Sequence, residues 1–164
     1  MPSQELHVIV GLGATGLSCA HYLIQQGLSV AVTDSRTKPP HLAEFKSNFP
    51  NVPVSVGQLD EALLAKATRV ILSPGVALQE PAIAHQIARG VQVIGDVELF
   101  ARQVKAPVIA ITGTNAKSTV TTLVGEMALA AHVKAQIGGN LGVPALDLLA
   151  LPDAEVFVLE NRLL

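Results

Sequence analysis

Residues 108–124, VIAITGTNAKSTVTTLV, place a lysine and two hydroxyl residues directly after a short apolar strand and a turn of small residues. Lys117-Ser118-Thr119 open a predicted helix, where backbone amides and the helix dipole can hold phosphate oxygens. Lys117 can neutralise phosphate charge, and the Ser118 hydroxyl can bind Mg²⁺. The standard Walker loop has glycine where this chain has Ile111 and before the lysine, where it has Ala116. The segment therefore predicts a modified phosphate-binding loop.

A purely structural alternative for this segment is an ordinary helix cap. It accounts for Thr114 or Asn115, whose side chains can cap a helix. It does not account for Lys117, because the helix macrodipole disfavours a cation at a helix start. The phosphate loop is the favoured interpretation.

A second motif, VIVGLGATGLS at residues 8–18, has the G-x-G-x-x-G spacing at Gly11, Gly13 and Gly16. It follows a predicted strand and opens a helix, so a diphosphate can approach the backbone closely at the helix start. Asp34 ends the next strand, where an acidic side chain can reach a ribose hydroxyl, and Arg36 follows two residues later. These features also suit an NAD-binding domain. The structural alternative is that the glycines serve only strand–helix packing.

The segment ILSPGV, residues 71–76, predicts a turn at the end of the fourth strand. Pro74 and Gly75 suit the two central positions of a type II turn, which requires a positive φ at the glycine. Such a turn presents bare backbone at the carboxyl edge of the sheet, where ligands of open α/β sheets bind. An ordinary strand-to-helix turn is the alternative.

The elements that position these motifs alternate between strand and helix along the chain. Strand, helix and strand in repetition predict an α/β fold with parallel sheets and right-handed crossovers. Residues 1–95 predict a Rossmann-like domain, and residues 96–164 an incomplete P-loop-type α/β domain that starts with a helix at 96–103. The predicted strands are residues 7–10, 29–33, 52–56, 69–73, 91–94, 108–112, 134–137 and 155–159.

Composition excludes several classes of function. Hydrophobic residues make up 49% of the 164 residues, enough for a buried core, and the formal net charge of −2 predicts no general attraction to nucleic acid or anionic membranes. No apolar run approaches the roughly 18 residues of a membrane span, and the start of the chain lacks signal-peptide features. Cys19 is the single cysteine, and the five histidines lack the spacing of zinc ligands. A cytoplasmic protein is expected.

Five sequence blocks together resemble the Mur ligase family. They are GLGATGLS, SPG, GDVELF, ITGTNAKSTVTTLVGEM and GGNLGVPAL, and they cover the chain from Val8 to Glu160 in the family's order. The family's ATP loop reads G-T-N-G-K-S/T-T, so Ala116 replaces a glycine. Within the family, the blocks are most similar to members that join D-glutamate to UDP-N-acetylmuramoyl-L-alanine in peptidoglycan synthesis.

This resemblance implies roles for individual residues. The first domain would bind the UDP part of the substrate rather than a dinucleotide, and the second would bind ATP and Mg²⁺. Lys117 and Glu160 would be catalytic, with Ser118 and Glu160 holding the metal. Gly13, Ala14 and Thr15 would contact the diphosphate, and Asn140 would contact the muramoyl group. The residues implied around the uridine are Asp34, Ser35, Arg36 and Gly75. Those implied around ATP are Thr114, Asn115, Ala116, Lys117, Ser118 and Thr119.

The implied reaction uses ATP to phosphorylate the alanyl carboxylate, and the amine of D-glutamate then attacks the acyl phosphate. After Glu160 the chain departs from the family pattern, and most of the central domain and the carboxy-terminal domain have no counterpart. The sequence therefore predicts a truncated, inactive piece of a ligase that is monomeric at full length. Two alternatives stay open: an NAD-binding oxidoreductase domain and a nonenzymatic UDP-sugar-binding remnant.

Overall fold

A computed structural model describes residues 5–140 and 142–161, and the chain divides into two compact units between Asp96 and Val97. Of residues 161–164, where a departure from the family pattern is predicted, residues 162–164 lie outside the described residues. In the first unit the strands are β1 (Leu6–Val10), β2 (Ser29–Asp34), β3 (Val54–Val56), β4 (Arg69–Leu72) and β5 (Gln92–Ile94), and the helices are α1 (Ala14–Gln25), α2 (Leu42–Asn48), α3 (Glu61–Leu64) and α4 (Pro81–Ala88). The next elements are α5 (Asp96–Ala101), β6 (Val108–Ile111), α6 (Lys117–Ala130), β7 (Ala135–Gly139), α7 (Ala145–Leu148) and β8 (Val156–Glu160).

The first unit contains a five-stranded sheet in the order β3-β2-β1-β4-β5, with every pair parallel. Because β1 lies in the centre, Val10 is level with both Thr33 and Leu72. The carboxyl ends of β1, β2 and β4 therefore meet at one edge. Residues of β1 and β4 pack on one face against α3 and α4, in a buried cluster that includes Val8, Val10, Leu64, Val70, Leu72 and Ile83.

The second unit contains a three-stranded parallel sheet in the order β6-β8-β7. The central strand β8 is apolar and buried from Phe157 to Leu159. The Phe157 ring meets Phe100 of α5 edge-on, with centroids 5.1 Å apart. Ile111 and Gly139 are both level with Glu160, so the carboxyl ends of all three strands meet at that residue.

The predicted fold class, an α/β protein with parallel sheets, is confirmed. All eight predicted strands are present, with ends that differ by one or two residues, and the helix predicted over 96–103 ends at Ala101. In the part of the chain that the structure describes, no helix is long and apolar enough to cross a membrane.

Candidate functional site

The glycine-rich loop joins β1 to α1 at the carboxyl edge of the first sheet. Gly11 has a φ of 97°, which favours glycine, and Gly13 precedes the first helical residue. A Cβ at Gly16 would overlap the Gly11 carbonyl oxygen, so α1 packs directly on the loop. The half-exposed Gly13 and Thr15 and the exposed Ala14 begin a helix that has no side-chain cap, so its first amides are available to an anion.

Neighbouring strand ends hold this loop in place. The Gly11 amide donates to the Thr33 carbonyl at 2.9 Å, and the Ser73 hydroxyl donates to the Gly11 carbonyl at 3.0 Å. The Leu12 amide donates to Asp34 Oδ2 at 2.7 Å. Sequence reasoning missed the roles of Leu12 and Ser73. For Ser73, the available signal was its position after β4 at the edge that carries the glycines.

Asp34 is buried at the end of β2 and accepts four hydrogen bonds. Besides the Leu12 amide, it accepts from the Arg36 amide at 2.8 Å and from Arg36 Nε and Nη2 at 3.0 and 2.6 Å. Burial alone would raise the pKa of Asp34, but the hydrogen bonds from Arg36 and Leu12 outweigh it and hold that pKa below its usual value. The same pairing raises the pKa of Arg36. Asp34 is therefore an ionised, fully bonded carboxylate.

A cleft of about 760 Å³ opens at the same sheet edge and brings together the exposed Ser35 and Gly75. Arg36 and the glycine-rich loop are not among its lining residues. Sequence reasoning missed the other members, although the end of β3 at this edge was a signal for Gly57 and Gln58. The lining residues include Ser35, Gly57, Gln58, Glu61, Gly75 and Glu80.

The type II turn predicted at Pro74-Gly75 is wrong. The turn itself forms, since the Val76 amide donates to the Ser73 carbonyl at 3.0 Å. Gly75, however, is not among the described glycines that have a positive φ. A turn with this hydrogen bond closes equally well with a negative φ at its third residue, as in type I.

In the second unit, the loop between β6 and α6 is exposed from Thr112 to Ala116. Ala116 lies immediately before α6 with φ 58° and ψ 11°, in the left-handed region. No side chain caps α6, so neither Thr114 nor Asn115 acts as the cap of the structural alternative. The amides of the first turn are left without helix partners and can bind an anion.

Five predicted site residues lie at or beside this helix start. The Ser118 hydroxyl donates to Glu160 Oε2 at 2.8 Å, and Lys117 Nζ donates to the Gly113 carbonyl at 2.7 Å. The Asn140 amide donates to the Glu160 carbonyl at 2.8 Å, which fixes Asn140 at the same edge. The exposed Thr119 lies in the first turn of α6.

Ser118 and Glu160 supply oxygen ligands of the kind that Mg²⁺ prefers. Mg²⁺ is commonly held by one or two protein oxygens together with substrate phosphates, so one carboxylate and one hydroxyl suit it. Within residues 5–140 and 142–161, no group of three or more His, Cys, Asp or Glu side chains could hold a metal by itself. His7 Nε2 accepts a hydrogen bond from Arg69 Nη1 at 3.2 Å, and the His21 ring packs against the Phe49 ring.

The geometry of the first unit defines the class of protein. A glycine-rich strand-to-helix loop at the carboxyl edge of a parallel sheet is that of a Rossmann-like α/β domain. The family model described as Mur ligase MurD-like, N-terminal domain matches residues 5–95. The chain belongs to this family, and the resemblance stated from its motifs is confirmed.

Relatives and solved structures agree with this assignment. The chain is 56% identical over 158 residues to the UDP-N-acetylmuramoylalanine--D-glutamate ligase of Marinobacter nauticus and 52% identical to that of Pseudomonas aeruginosa. Each alignment covers 96% of this chain and 35% of the relative, so the chain spans about a third of the length of these relatives. A pseudomurein peptide ligase type C from Methanothermus fervidus has the same fold, with a TM-score of 0.54 at 23% identity over 95% of this chain and 32% of that one.

Proposed function

We propose that the chain is the UDP-muramoyl-substrate-binding and ATP-binding portion of an ATP-dependent amide ligase. The ligase would add D-glutamate to UDP-N-acetylmuramoyl-L-alanine in peptidoglycan synthesis. Relatives that are 52–56% identical bear the name of that activity, which supports the proposal for the longer protein. A cytoplasmic location and a monomeric full-length protein stay predictions.

The observation that carries the proposal is the hydrogen bond between Ser118 and Glu160 beside Lys117. A hydroxyl, a carboxylate and an ammonium group lie at one sheet edge next to a helix start without a cap. Phosphoryl transfer needs these groups, because it proceeds largely through positioning and charge neutralisation. A domain that only transfers hydride needs none of them.

Each residue has a distinct task in this proposal. The amides of residues 114–119 hold phosphate oxygens, and Lys117 leaves the Gly113 carbonyl to neutralise phosphate charge. Ser118 and Glu160 hold Mg²⁺, which supplies further charge neutralisation when bound. ATP supplies the phosphoryl group that activates the alanyl carboxylate of the substrate.

In the first unit, the amides at Gly13, Ala14 and Thr15 hold the diphosphate, because they begin a helix that has no side-chain cap. Ser35 and Gly75 line the cleft that would receive the uridine. Arg36, the residue after Ser35, has a half-exposed guanidinium. Asn140 stays a predicted substrate-binding residue, and Asp34 belongs to this site through its bonds to Leu12 and Arg36.

The NAD-binding alternative is disfavoured by Asp34. An NAD site needs an acidic oxygen free to accept from a ribose hydroxyl. Both Asp34 oxygens already accept two hydrogen bonds each. The nonenzymatic remnant stays distinguishable by experiment, since it predicts UDP binding without ATP binding.

We also propose that the 164 residues alone do not form the amide bond. They span about a third of the relatives that bear the activity's name. Incubation with UDP-N-acetylmuramoyl-L-alanine, D-glutamate, ATP and Mg²⁺ should yield no product by mass spectrometry. Product formation would contradict this part of the proposal.

Calorimetry tests the binding proposal directly. UDP should bind more tightly than NAD, and ATP should bind only with Mg²⁺ present. Lys117→Ala should weaken ATP binding about tenfold or more, since it removes a charged contact, and should leave UDP binding unchanged. Tight NAD binding without UDP binding would contradict the proposal. UDP binding without any ATP binding would favour the nonenzymatic remnant.

A further inference from the structure

Asp34 is 2% exposed and has no acceptor position to spare. Its Oδ1 accepts from the Arg36 amide and Nε, and its Oδ2 accepts from the Leu12 amide and Arg36 Nη2. A carboxylate offers about four lone-pair positions in total. A ligand hydroxyl could bond to Asp34 only by displacing one of these donors from a buried, charge-assisted bond.

The donors on Asp34 come from two parts of the site. Leu12 lies inside the glycine-rich loop, between the two glycines of the turn. Arg36 follows β2, its side chain is 51% exposed, and only two of its five guanidinium donors are used by Asp34. One carboxylate therefore fixes both the loop backbone and the orientation of an exposed cation.

We propose that Asp34 is a positioning residue: it fixes the backbone of the glycine-rich loop through the Leu12 amide and orients the Arg36 guanidinium, so that the exposed part of the loop and Arg36, and not Asp34, meet the ligand. This inference rests on the proposed UDP site. It assigns Asp34 an indirect role, in contrast to the direct ribose or uridine contact that the sequence suggested.

Electrostatics supports the indirect role. Burying an unpaired carboxylate is strongly unfavourable, so Asp34 depends on the donors it holds. Those donors keep its pKa below the usual value despite burial, so the carboxylate stays ionised at neutral pH. The Arg36–Asp34 pair is bidentate, which restricts the guanidinium to one plane.

The matched variants are D34N and D60N. In D34N an amide nitrogen replaces one carboxylate oxygen and cannot accept hydrogen bonds. The two hydrogen bonds that this oxygen accepts in the wild type are therefore lost. D60N makes the same change at the residue that caps α3 through the Leu63 amide, and asparagine caps a helix equally well. Without ligand, the Leu12 amide and Arg36 Nε resonances should shift and exchange faster in D34N and stay unchanged in D60N.

UDP and 2′-deoxy-UDP separate the indirect role from a direct contact between Asp34 and the ribose 2′-hydroxyl. D34N should weaken both by the same factor, at least about tenfold, and the ratio of the two affinities should stay at its wild-type value. D60N should bind both as the wild type does. If Asp34 contacts the ribose 2′-hydroxyl, the ratio falls to one in D34N alone, and the proposal is overturned.

Three results distinguish failure of this inference from failure of the proposed function. Unchanged Leu12 and Arg36 resonances in ligand-free D34N overturn the proposal whatever UDP does. If the wild type binds no UDP, the proposed function fails while the ligand-free resonances still report the positioning bonds. Should D34N not fold, UDP titrated into the wild type should move the Leu12 and Arg36 Nε resonances and leave the Asp34 carboxyl carbon unmoved; movement of that carbon overturns the inference.

Discussion

At the residue scale, Ala116 carries the main departure from the family's phosphate loop. Its φ of 58° lies in the left-handed region, where the Cβ of an L-residue crowds the neighbouring carbonyl at a cost of about 1 kcal/mol relative to glycine. A left-handed residue at this position is compatible with an anion-binding nest, which combines right- and left-handed backbone conformations. The loop is therefore formed at a cost that glycine would avoid.

Ala116→Gly should raise the free energy of unfolding by about 1 kcal/mol, because it removes this crowding. It should also raise ATP affinity severalfold, because it removes a methyl group from the path of the phosphates. The matched control is Ala131→Gly at the other end of α6, where φ is −84° and glycine relieves nothing. Calorimetry with ATP and Mg²⁺, together with urea unfolding, measures both effects. Equal or weaker ATP binding by Ala116→Gly would mean that the alanine is tolerated.

Ala116 and Gly75 also mark what residue patterns can predict. Both turns follow from the small residues and Pro-Gly pair in the sequence, and both are present. The sign of φ within a turn depends on how flanking elements orient the chain, so the sequence could not decide it. The positive φ expected at Gly75 is wrong, whereas Ala116 adopts one although it lacks glycine's freedom.

At the element scale, the contact between α1 and the glycine-rich loop depends on a missing side chain. A Cβ at Gly16 would overlap the Gly11 carbonyl and approach the Ser73 hydroxyl at 3.4 Å, whereas one at Gly13 would meet nothing within 4 Å. The backbone at Gly13 is extended, which alanine accepts. The two glycines of one motif therefore have different structural roles.

Gly16→Ala should lower the free energy of unfolding by about 3 kcal/mol, because α1 must move away from the loop. Gly13→Ala, the same change three residues earlier, should leave it within about 0.5 kcal/mol of the wild type. Chemical denaturation of the three proteins measures the difference. Similar stability for both variants would show that α1 can shift at little cost.

Strands were the most predictable elements, because runs of Val, Ile and Leu between turn residues favour buried parallel strands. The first and last residues of each strand were less predictable. The strand predicted over 134–137 continues to Gly139 because Gly138 and Gly139 pair with Leu159 and Glu160. Glycine disfavours strands, so only pairing with β8 extends it. The bond from the Leu12 amide to Asp34 was equally hidden, because it joins residues of two strand ends that only the sheet brings together.

At the scale of the whole molecule, the two units differ in how much apolar surface they leave exposed. Among the described residues, nine of the eleven exposed large hydrophobic side chains belong to the second unit. In α6 only Thr121 and Gly125 are buried, while Val120, Leu123 and Met127 face solvent. Elements with few buried apolar contacts open locally at low free energy.

Amides of β6 and α6 should therefore exchange with solvent faster than those of β1 and β4, by a factor of about 100 or more. β1 and β4 lie inside a five-stranded sheet with an apolar cluster against it, whereas β6 is the exposed edge of a three-stranded sheet. Native-state hydrogen exchange followed by NMR measures each amide in one sample, so the first unit serves as the internal control. The same protection in β6 as in β1 would contradict the expectation, because it would mean that the exposed apolar face does not weaken the second unit.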